Sequence, residues 1–258
     1  MKNFKSALFL IVLSLFFILF AYQEGFMCLS NDYAAARREM VTGQIRERGI
    51  SDKSVIDAML KIERHKFVPA VMRHLSYTDH PLPIGSGQTI SQPYIVALMT
   101  ELITSSNISG ETHLKTAEPA APDKLKILEI GTGSGYQAAI LGELSYEVYT
   151  IEIIESLGKQ AETLLKELGY KNIFVKIGDG YKGWPEKAPF DRIIVTCAPE
   201  DAPQALLEQL NPDGGRMIIP VGEAGSTQQL VLIKRNGDKY IRDFITYVMF
   251  VPMVSGKD

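Results

Sequence analysis

The sequence predicts an α/β fold built on a largely parallel sheet covered by helices on both faces, with helices ahead of the sheet and an antiparallel hairpin after it. Three observations lead there. Between residues 126 and 221 short apolar runs alternate with stretches of helical length, the rhythm of strand, crossover helix and parallel strand. Those runs are apolar almost throughout, as strands buried on both faces must be. From Gln229 onward the pattern becomes an alternation about the turn pair Asn236-Gly237, the signature of two antiparallel strands joined tightly.

The chain opens with Lys2 and Lys5 ahead of an apolar run from Ala7 to Ala21, broken only by Ser14. Residues 1–30 therefore read as a leader outside the fold, a signal peptide or a membrane anchor, with a misassigned start or a core-packing helix as the alternatives. The run is shorter than the ~20 residues of a spanning helix, and no small-x-small cleavage site follows it. Asn31 and Asp32 are cap-type residues before a helix expected to run to Arg48 and stop at Gly49. Arg37, Arg38, Arg46 and Arg48 are expected on its solvated face. Ser51 and Asp52 open a second helix, with Val55, Met59 and Ile62 along one side. His80 to Gly87 is dense in turn formers, and a third helix is expected from Pro93 to Ile103. Thr104 to Asp123 has almost no large apolar residue and reads as a mobile linker within a single domain over residues 31–258.

Lys126 to Ile130 is the first strand of the parallel series, followed by a helix from Gln137 to Leu144 and a strand from Val148 to Ile153. A helix from Glu155 to Leu168 precedes the strand Ile173 to Ile177. Phe190 to Cys197 and Arg216 to Val221 complete the series, with a helix from Pro203 to Leu210 between them. Gln229 to Lys234 and Tyr240 to Val251 form the closing hairpin.

Composition narrows the function. Lys plus Arg total 27 against 30 Asp plus Glu, a net charge of −3; an extended electrostatic grip on nucleic acid would need a basic excess. With 46% hydrophobic and 22% charged residues the chain is of ordinary globular composition. Cys28 and Cys197 are too few for a disulfide framework. His65, His74, His80 and His113 never fall at helical metal-pair spacing, so no metal site is expected.

The stretch Leu128-Glu129-Ile130-Gly131-Thr132-Gly133-Ser134-Gly135-Tyr136 lies where the first parallel strand gives way to a helix, the place where open α/β sheets bind nucleotides. Gly131 permits the tight turn, while Gly133 and Gly135 let backbone approach a ligand. The dinucleotide fingerprint would place its third glycine at 136, where this chain has Tyr136. The spacing instead resembles class I, Rossmann-like methyltransferases that use S-adenosyl-L-methionine. Glu152, at the end of the second strand, is positioned to accept both ribose hydroxyls. Gly178-Asp179-Gly180 follows the third strand and brings a carboxylate towards the adenine side. The Asn/Asp-Pro-Pro-aromatic tetrad of adenine and cytosine amino methyltransferases is absent, since Thr196-Cys197-Ala198-Pro199 stands there. Cys197 at a strand end reads as core rather than nucleophile, and Tyr181 and Trp184 are expected to pack beside the Asp179 loop.

Four further segments resemble the protein-L-isoaspartate (D-aspartate) O-methyltransferase family: Phe67-Val68-Pro69, Gly87-Gln88-Thr89-Ile90-Ser91-Gln92-Pro93, Gly215-Arg216-Met217-Ile218-Ile219-Pro220-Val221-Gly222 and Phe250-Val251-Pro252. The resemblance covers about residues 33 to 253, and Gln88 to Pro93 is its most specific part. It implies methyl transfer from S-adenosyl-L-methionine to the α-carboxyl of L-isoaspartyl residues in damaged peptides and proteins, with no nucleic acid partner and a monomeric enzyme. A carboxylate with pKa near ~3.5 is ionised at neutral pH, so no general base is needed, in keeping with the lack of an obvious catalytic His or Cys. The resemblance makes Ser91 the residue that orients the acceptor carboxylate; an N-cap for the helix opened by Pro93 is the other use of the same hydroxyl. Thr89, Ile90, Glu129, Gly131, Gly133, Gly135, Glu152, Asp179 and Gly180 form the expected cofactor side. Family members usually lack the apolar leader and have a shorter connection before the glycine loop. Rival readings are another carboxyl or small-molecule methyltransferase and a non-catalytic S-adenosylmethionine-binding module. The expected place of work is the cytoplasm, with a membrane tether through residues 7–21, and export is the alternative if the leader is cleaved.

Overall fold

The computed structural model describes residues 32–104, 125–144 and 146–256. The leader and nearly all of the linker expected at 104–123 lie outside the described residues. Among the described residues no helix is long and apolar enough to cross a membrane. Residues 36–258 form one compact unit; of the unit before it, residues 1–35, only Asp32–Ala35 are described, where Asp32 Oδ1 accepts the Ala35 amide at 2.8 Å.

Seven strands make the main sheet, in the order β5-β4-β3-β6-β7-β8-β9. They are β3 (Lys126–Ile130), β4 (Glu147–Glu152), β5 (Ile173–Ile177), β6 (Arg192–Val195), β7 (Asp213–Val221), β8 (Gln228–Asn236) and β9 (Lys239–Val248). β3 to β7 pair in parallel, whereas β8 and β9 run antiparallel. Strand order reverses beside β3, which pairs with β4 on one side and β6 on the other. The expected α/β architecture and closing hairpin are therefore present, and the cleft at that reversal lies at the C-terminal ends of the strands.

Helices α4 (Tyr136–Glu143) and α5 (Glu155–Glu167) follow β3 and β4. α4 is buried over Tyr136 to Gly142, a helix enclosed on all sides. α5 buries the stripe Leu157, Ala161 and Leu165 at four-residue spacing, with Gly158 beside it, and leaves its opposite face charged. α6 (Gln204–Gln209) covers the core through Leu206 and Leu207. That core centres on Leu128, Ile130, Ile151, Phe190, Ile193 and Val195. Tyr149 stacks on Phe174 at 5.1 Å and meets Trp184 and Phe190 edge-on at 5.3 and 5.9 Å, so Trp184 belongs to an aromatic cluster as well as to its own loop.

The N-terminal region departs from the expected single helix. α1 covers Tyr33–Glu39; a wider π turn over Met40–Ile45 and a 3₁₀ turn over Arg46–Arg48 follow, ending at Gly49 with φ 100°. The widened turn buries Met40, Val41 and Ile45 together, and Gly43 at its centre weakens the preference for a regular helix. Two of the four arginines expected in solvent are engaged. Arg37 lies 3.8 Å from Glu63, and Arg48 pairs with Asp79 at 2.7 Å with its guanidinium 3.4 Å from the Tyr94 ring centroid. α2 (Lys53–Lys61) starts where Asp52 Oδ1 accepts the Ser54 and Val55 amides. The turn-rich stretch after it contains a small antiparallel pair, β1 (Leu82–Gly85) and β2 (Gln88–Ile90), and α3 (Pro93–Thr104) follows.

Phe190 is fully buried and joins the aromatic cluster to the parallel core. Phe190→Ala is expected to cost about 3–5 kcal/mol, read as a lower urea midpoint with unchanged slope; a loss below about 1 kcal/mol would show that the cluster is not integral to the core.

Candidate active site

The site is assembled where β3, β4 and β6 end. Leaving β3, Gly131 takes φ +94°, and a Cβ there would lie 2.5 Å from Thr196 Oγ1 at the end of β6. Glycine is thus required for both the left-handed turn and the close approach. The Gly131 and Thr132 amides donate to the Ile151 carbonyl at 2.9 and 3.2 Å, which draws the loop against β4. Thr196 Oγ1 donates towards the Ile130 and Gly131 carbonyls and secures the other side.

Glu152, the last residue of β4, is 5% exposed. Its Oε2 accepts the Gly133 amide at 2.8 Å and its Oε1 the Ile154 amide at 2.9 Å. Each oxygen keeps a lone pair for a further donor, so the carboxylate is fixed in direction while able to accept a diol. Glu129 lies deeper and is fully buried. Thr150 Oγ1 donates to its Oε2 at 2.5 Å and stands 2.6 Å from Thr132 Oγ1. Glu129 Oε1 has no hydrogen-bond partner among the described residues. Burial raises its pKa to about 8, the Thr150 hydrogen bond works against that rise, and the charge of Glu152 adds to it. Burial thus favours the neutral acid, and a cation arriving beside it would favour its ionised form.

Thr89, Ile90, Ser91, Glu129, Gly131 and Gly133 line one cleft, together with Glu152 and Gly180. Gly180 closes against β3, since a Cβ there would lie 2.5 Å from Ile130 Cγ2. Gly135 and Asp179 do not line the cleft. Gly135 instead packs towards Ala161 and Leu165 of α5, and the Asp179 carboxylate accepts the Tyr181 amide at 2.9 Å and the Gly256 amide at 3.1 Å. Cys197 borders the cleft, with burial, Glu152 and Glu129 pushing its thiol pKa up to about 12; it is no nucleophile at neutral pH.

Ser91 lies between β2 and α3 and its hydroxyl makes no hydrogen bond among the described residues, whereas the Gln92 carbonyl accepts from Val96 at the start of α3. Ser91 also borders a second cleft, walled by Pro81, Gln92, Ile95, Tyr247, Met249 and Phe250. Val251, Pro252 and Met253 complete the first cleft, held there by backbone hydrogen bonds between Ala198 and both Val251 and Met253, each 2.8 Å. The sequence pattern did not single out Thr132, Thr150 or Thr196, or the second cleft. Thr150 carries a faint signal as a polar residue inside a buried strand; Tyr247 and Met249 carry none beyond their place in the hairpin.

A buried carboxyl with an unsatisfied oxygen, a fixed carboxylate acceptor and a glycine loop fit a cationic nucleoside. Residues 35–258 match the sequence model of the family described as protein-L-isoaspartate(D-aspartate) O-methyltransferase. A relative from Shewanella sediminis, named protein-L-isoaspartate O-methyltransferase 2, is 50% identical over 224 residues, 87% of this chain and 85% of the relative. Protein-L-isoaspartate O-methyltransferase of Opitutus terrae is also 50% identical, over 86% of this chain and 88% of that one. A solved protein-L-isoaspartate O-methyltransferase superposes with a TM-score of 0.70 at 27% identity, covering 85% of this chain; this chain spans 66% of that one's length. A structure from Plasmodium falciparum, in complex with S-adenosyl-L-homocysteine, shares the fold with a TM-score of 0.66 at 23% identity, over 87% of this chain and 99% of that one. The chain belongs to the protein-L-isoaspartate(D-aspartate) O-methyltransferase family.

Proposed function

We propose that this protein methylates the α-carboxyl of L-isoaspartyl residues in damaged proteins, with S-adenosyl-L-methionine as methyl donor. The observation that carries the reading is the place of Ser91, which lines both the glycine-loop cleft and the second cleft, as Thr89, Thr196 and Val251 also do, and whose hydroxyl makes no hydrogen bond among the described residues. A donor molecule in the first cleft and an acceptor in the second would meet there. When bound, the cofactor supplies a methyl carbon activated by a sulfonium, which an ionised carboxylate attacks without prior loss of a proton. The chain's work is therefore orientation. Ser91 Oγ donates to one acceptor oxygen and leaves the other free to react. Glu152 accepts the ribose hydroxyls, Gly131 and Gly133 give backbone access, and Glu129 stands as counter-charge to the cationic donor. Thr89 and Ile90 border the donor cleft. Asp179 acts at the adenine end through the turn it caps, because its oxygens are engaged by backbone amides. The activity is assigned to the cytosol, where this cofactor is made; the part played by residues 7–21 is separate from the chemistry.

The direct test is methyl transfer from labelled cofactor to a synthetic isoaspartyl peptide, with its normal aspartyl twin as control. Transfer to the isoaspartyl peptide alone is expected. Equal transfer to both peptides would point to a general carboxyl methyltransferase, and none to either would overturn the reading.

The charge reading of Glu129 has a pH signature. Its folded pKa, about 8, lies above the ordinary 4.5, so its contribution to stability is fully present below about pH 4.5 and lost as pH rises through 8. Glu129→Gln cannot ionise and is expected to raise the melting temperature of the ligand-free protein at pH 8.5 by at least about 3 °C, roughly a 1 kcal/mol effect in a domain of this size. The gain should shrink towards pH 5. The same variant should bind S-adenosylmethionine about tenfold more weakly at pH 8.5, a loss of ~1.4 kcal/mol. A lower melting temperature at both pH values, or unchanged affinity, would contradict this role.

A further inference from the structure

Arg64 is among the largest fully buried side chains in the molecule, at 0% exposure. It starts the 3₁₀ turn Arg64–Phe67 after α2. No carboxylate pairs with it among the described residues. Its Nε donates to the Ser76 carbonyl at 2.8 Å and its Nη2 to the Ser91 carbonyl at 2.7 Å, so one guanidinium bridges two loops that are 12 and 27 residues further along the chain. Its Cζ lies 4.9 Å from the ring centroid of Tyr136, the first residue of α4 and the neighbour of Gly135 in the glycine loop. Burial lowers its pKa to about 10, against the favourable influence of Tyr136 and Tyr77, and it remains cationic at neutral pH. Enclosing a charge without a counter-ion is costly, and a well-packed apolar side chain would fill the space at lower cost. What an apolar residue or a lysine cannot do is hold two carbonyls in the fixed fork of a guanidinium while lying over an aromatic ring.

We propose that Arg64 is a positioning residue for methyl transfer, setting the place of Ser91 relative to the glycine loop by holding the Ser91 carbonyl against Tyr136. This rests on the role given to Ser91 above. The Ser91 hydroxyl can orient an acceptor only if its backbone is fixed with respect to the donor cleft, and the Arg64 fork joins the two. A second tie runs in parallel, from Gln92 Nε2 to the Asp79 carbonyl at 3.0 Å. Arg64 itself borders neither cleft, so it acts through Ser91 rather than on substrate.

The test is a double-mutant cycle on the full chain, using Arg64→Lys and Arg64→Gln, each alone and combined with Ser91→Ala. The readouts are kcat and KM for an isoaspartyl peptide and the Kd for S-adenosylhomocysteine. Ser91→Ala is expected to lower kcat about 10- to 100-fold, the worth of one orienting hydrogen bond to a charged group. Arg64→Lys should lower kcat about tenfold and Arg64→Gln by at least as much, with KM and the Kd within about threefold of wild type. In the Ser91→Ala background either Arg64 variant should cost less than about a further twofold, because the residue it positions is already gone. Losses that multiply, a collapse of S-adenosylhomocysteine binding, a lower melting temperature with kcat unchanged, or failure of both Arg64 variants to fold would assign Arg64 to stability and overturn the proposal. Full turnover by Ser91→Ala would instead overturn the reading of Ser91, and the role of Arg64 with it.

Discussion

Two backbone amides on one carboxylate organise this protein's cleft. Glu152 receives Gly133 on one oxygen and Ile154 on the other, so the end of β4, the glycine loop after β3 and the entry to α5 are fixed by a single side chain. Charge-assisted bonds of this kind are stronger than neutral ones, and here they act where water has little access. These bonds hold a loop with left-handed turns at Gly131, Gly133 and Gly135. α5 is drawn close at its first turn, where a Cβ on Gly158 would lie 3.2 Å from Glu152 Cβ. The acid is thus part of the scaffold as well as part of the cleft lining.

Burial of uncompensated charge is the theme of the rest of the site. Glu129 lies beneath the cleft with one oxygen unsatisfied among the described residues, and Arg64 donates to two backbone carbonyls and lies over an aromatic face, with the Asp79 charge and Tyr77 also acting on it. Neither favours stability on its own account. Their cost is borne by an extensive apolar core, in which β3, β6 and β7 each contribute residues with no exposure at all. A buried carboxyl on the cleft wall and a buried guanidinium bonded to the Ser91 carbonyl place opposite charges on either side of the cleft lining.

Much of the architecture was legible because the parallel strands are written in local pattern. β3, β5 and the turn between β8 and β9 lie where the apolar runs and the Asn236-Gly237 pair put them. Asp52 caps α2 as its residue type suggested. The less legible parts depend on partners distant in sequence. Leu82 to Ile90 contains Pro83 and three residues at positive φ, Gly85, Ser86 and Gly87, so it reads as turn, yet Leu82 and Ile84 point inward and pair it into a hairpin. Arg48 is exposed, as its pattern suggests, but its ion pair with Asp79 and its stacking on Tyr94 depend on partners distant in sequence. Within the site, Glu152 and Gly131 could be found from spacing after a strand. Asp179 follows its strand as expected, but its carboxylate is taken up by its own turn and by the C-terminal segment. Arg64 could not be found, because nothing in Arg64-His65-Lys66 distinguishes a buried bridging guanidinium from an exposed basic turn.

Under the proposed function, the Glu152 carboxylate both shapes the glycine loop and receives the cofactor. Calorimetric titration of S-adenosylhomocysteine into wild type and Glu152→Ala tests it most directly. Wild type is expected to bind and the variant to bind 10- to 100-fold more weakly, the worth of about 1.5–3 kcal/mol for hydrogen bonds to a charged acceptor. Equal affinity in the two proteins would contradict it.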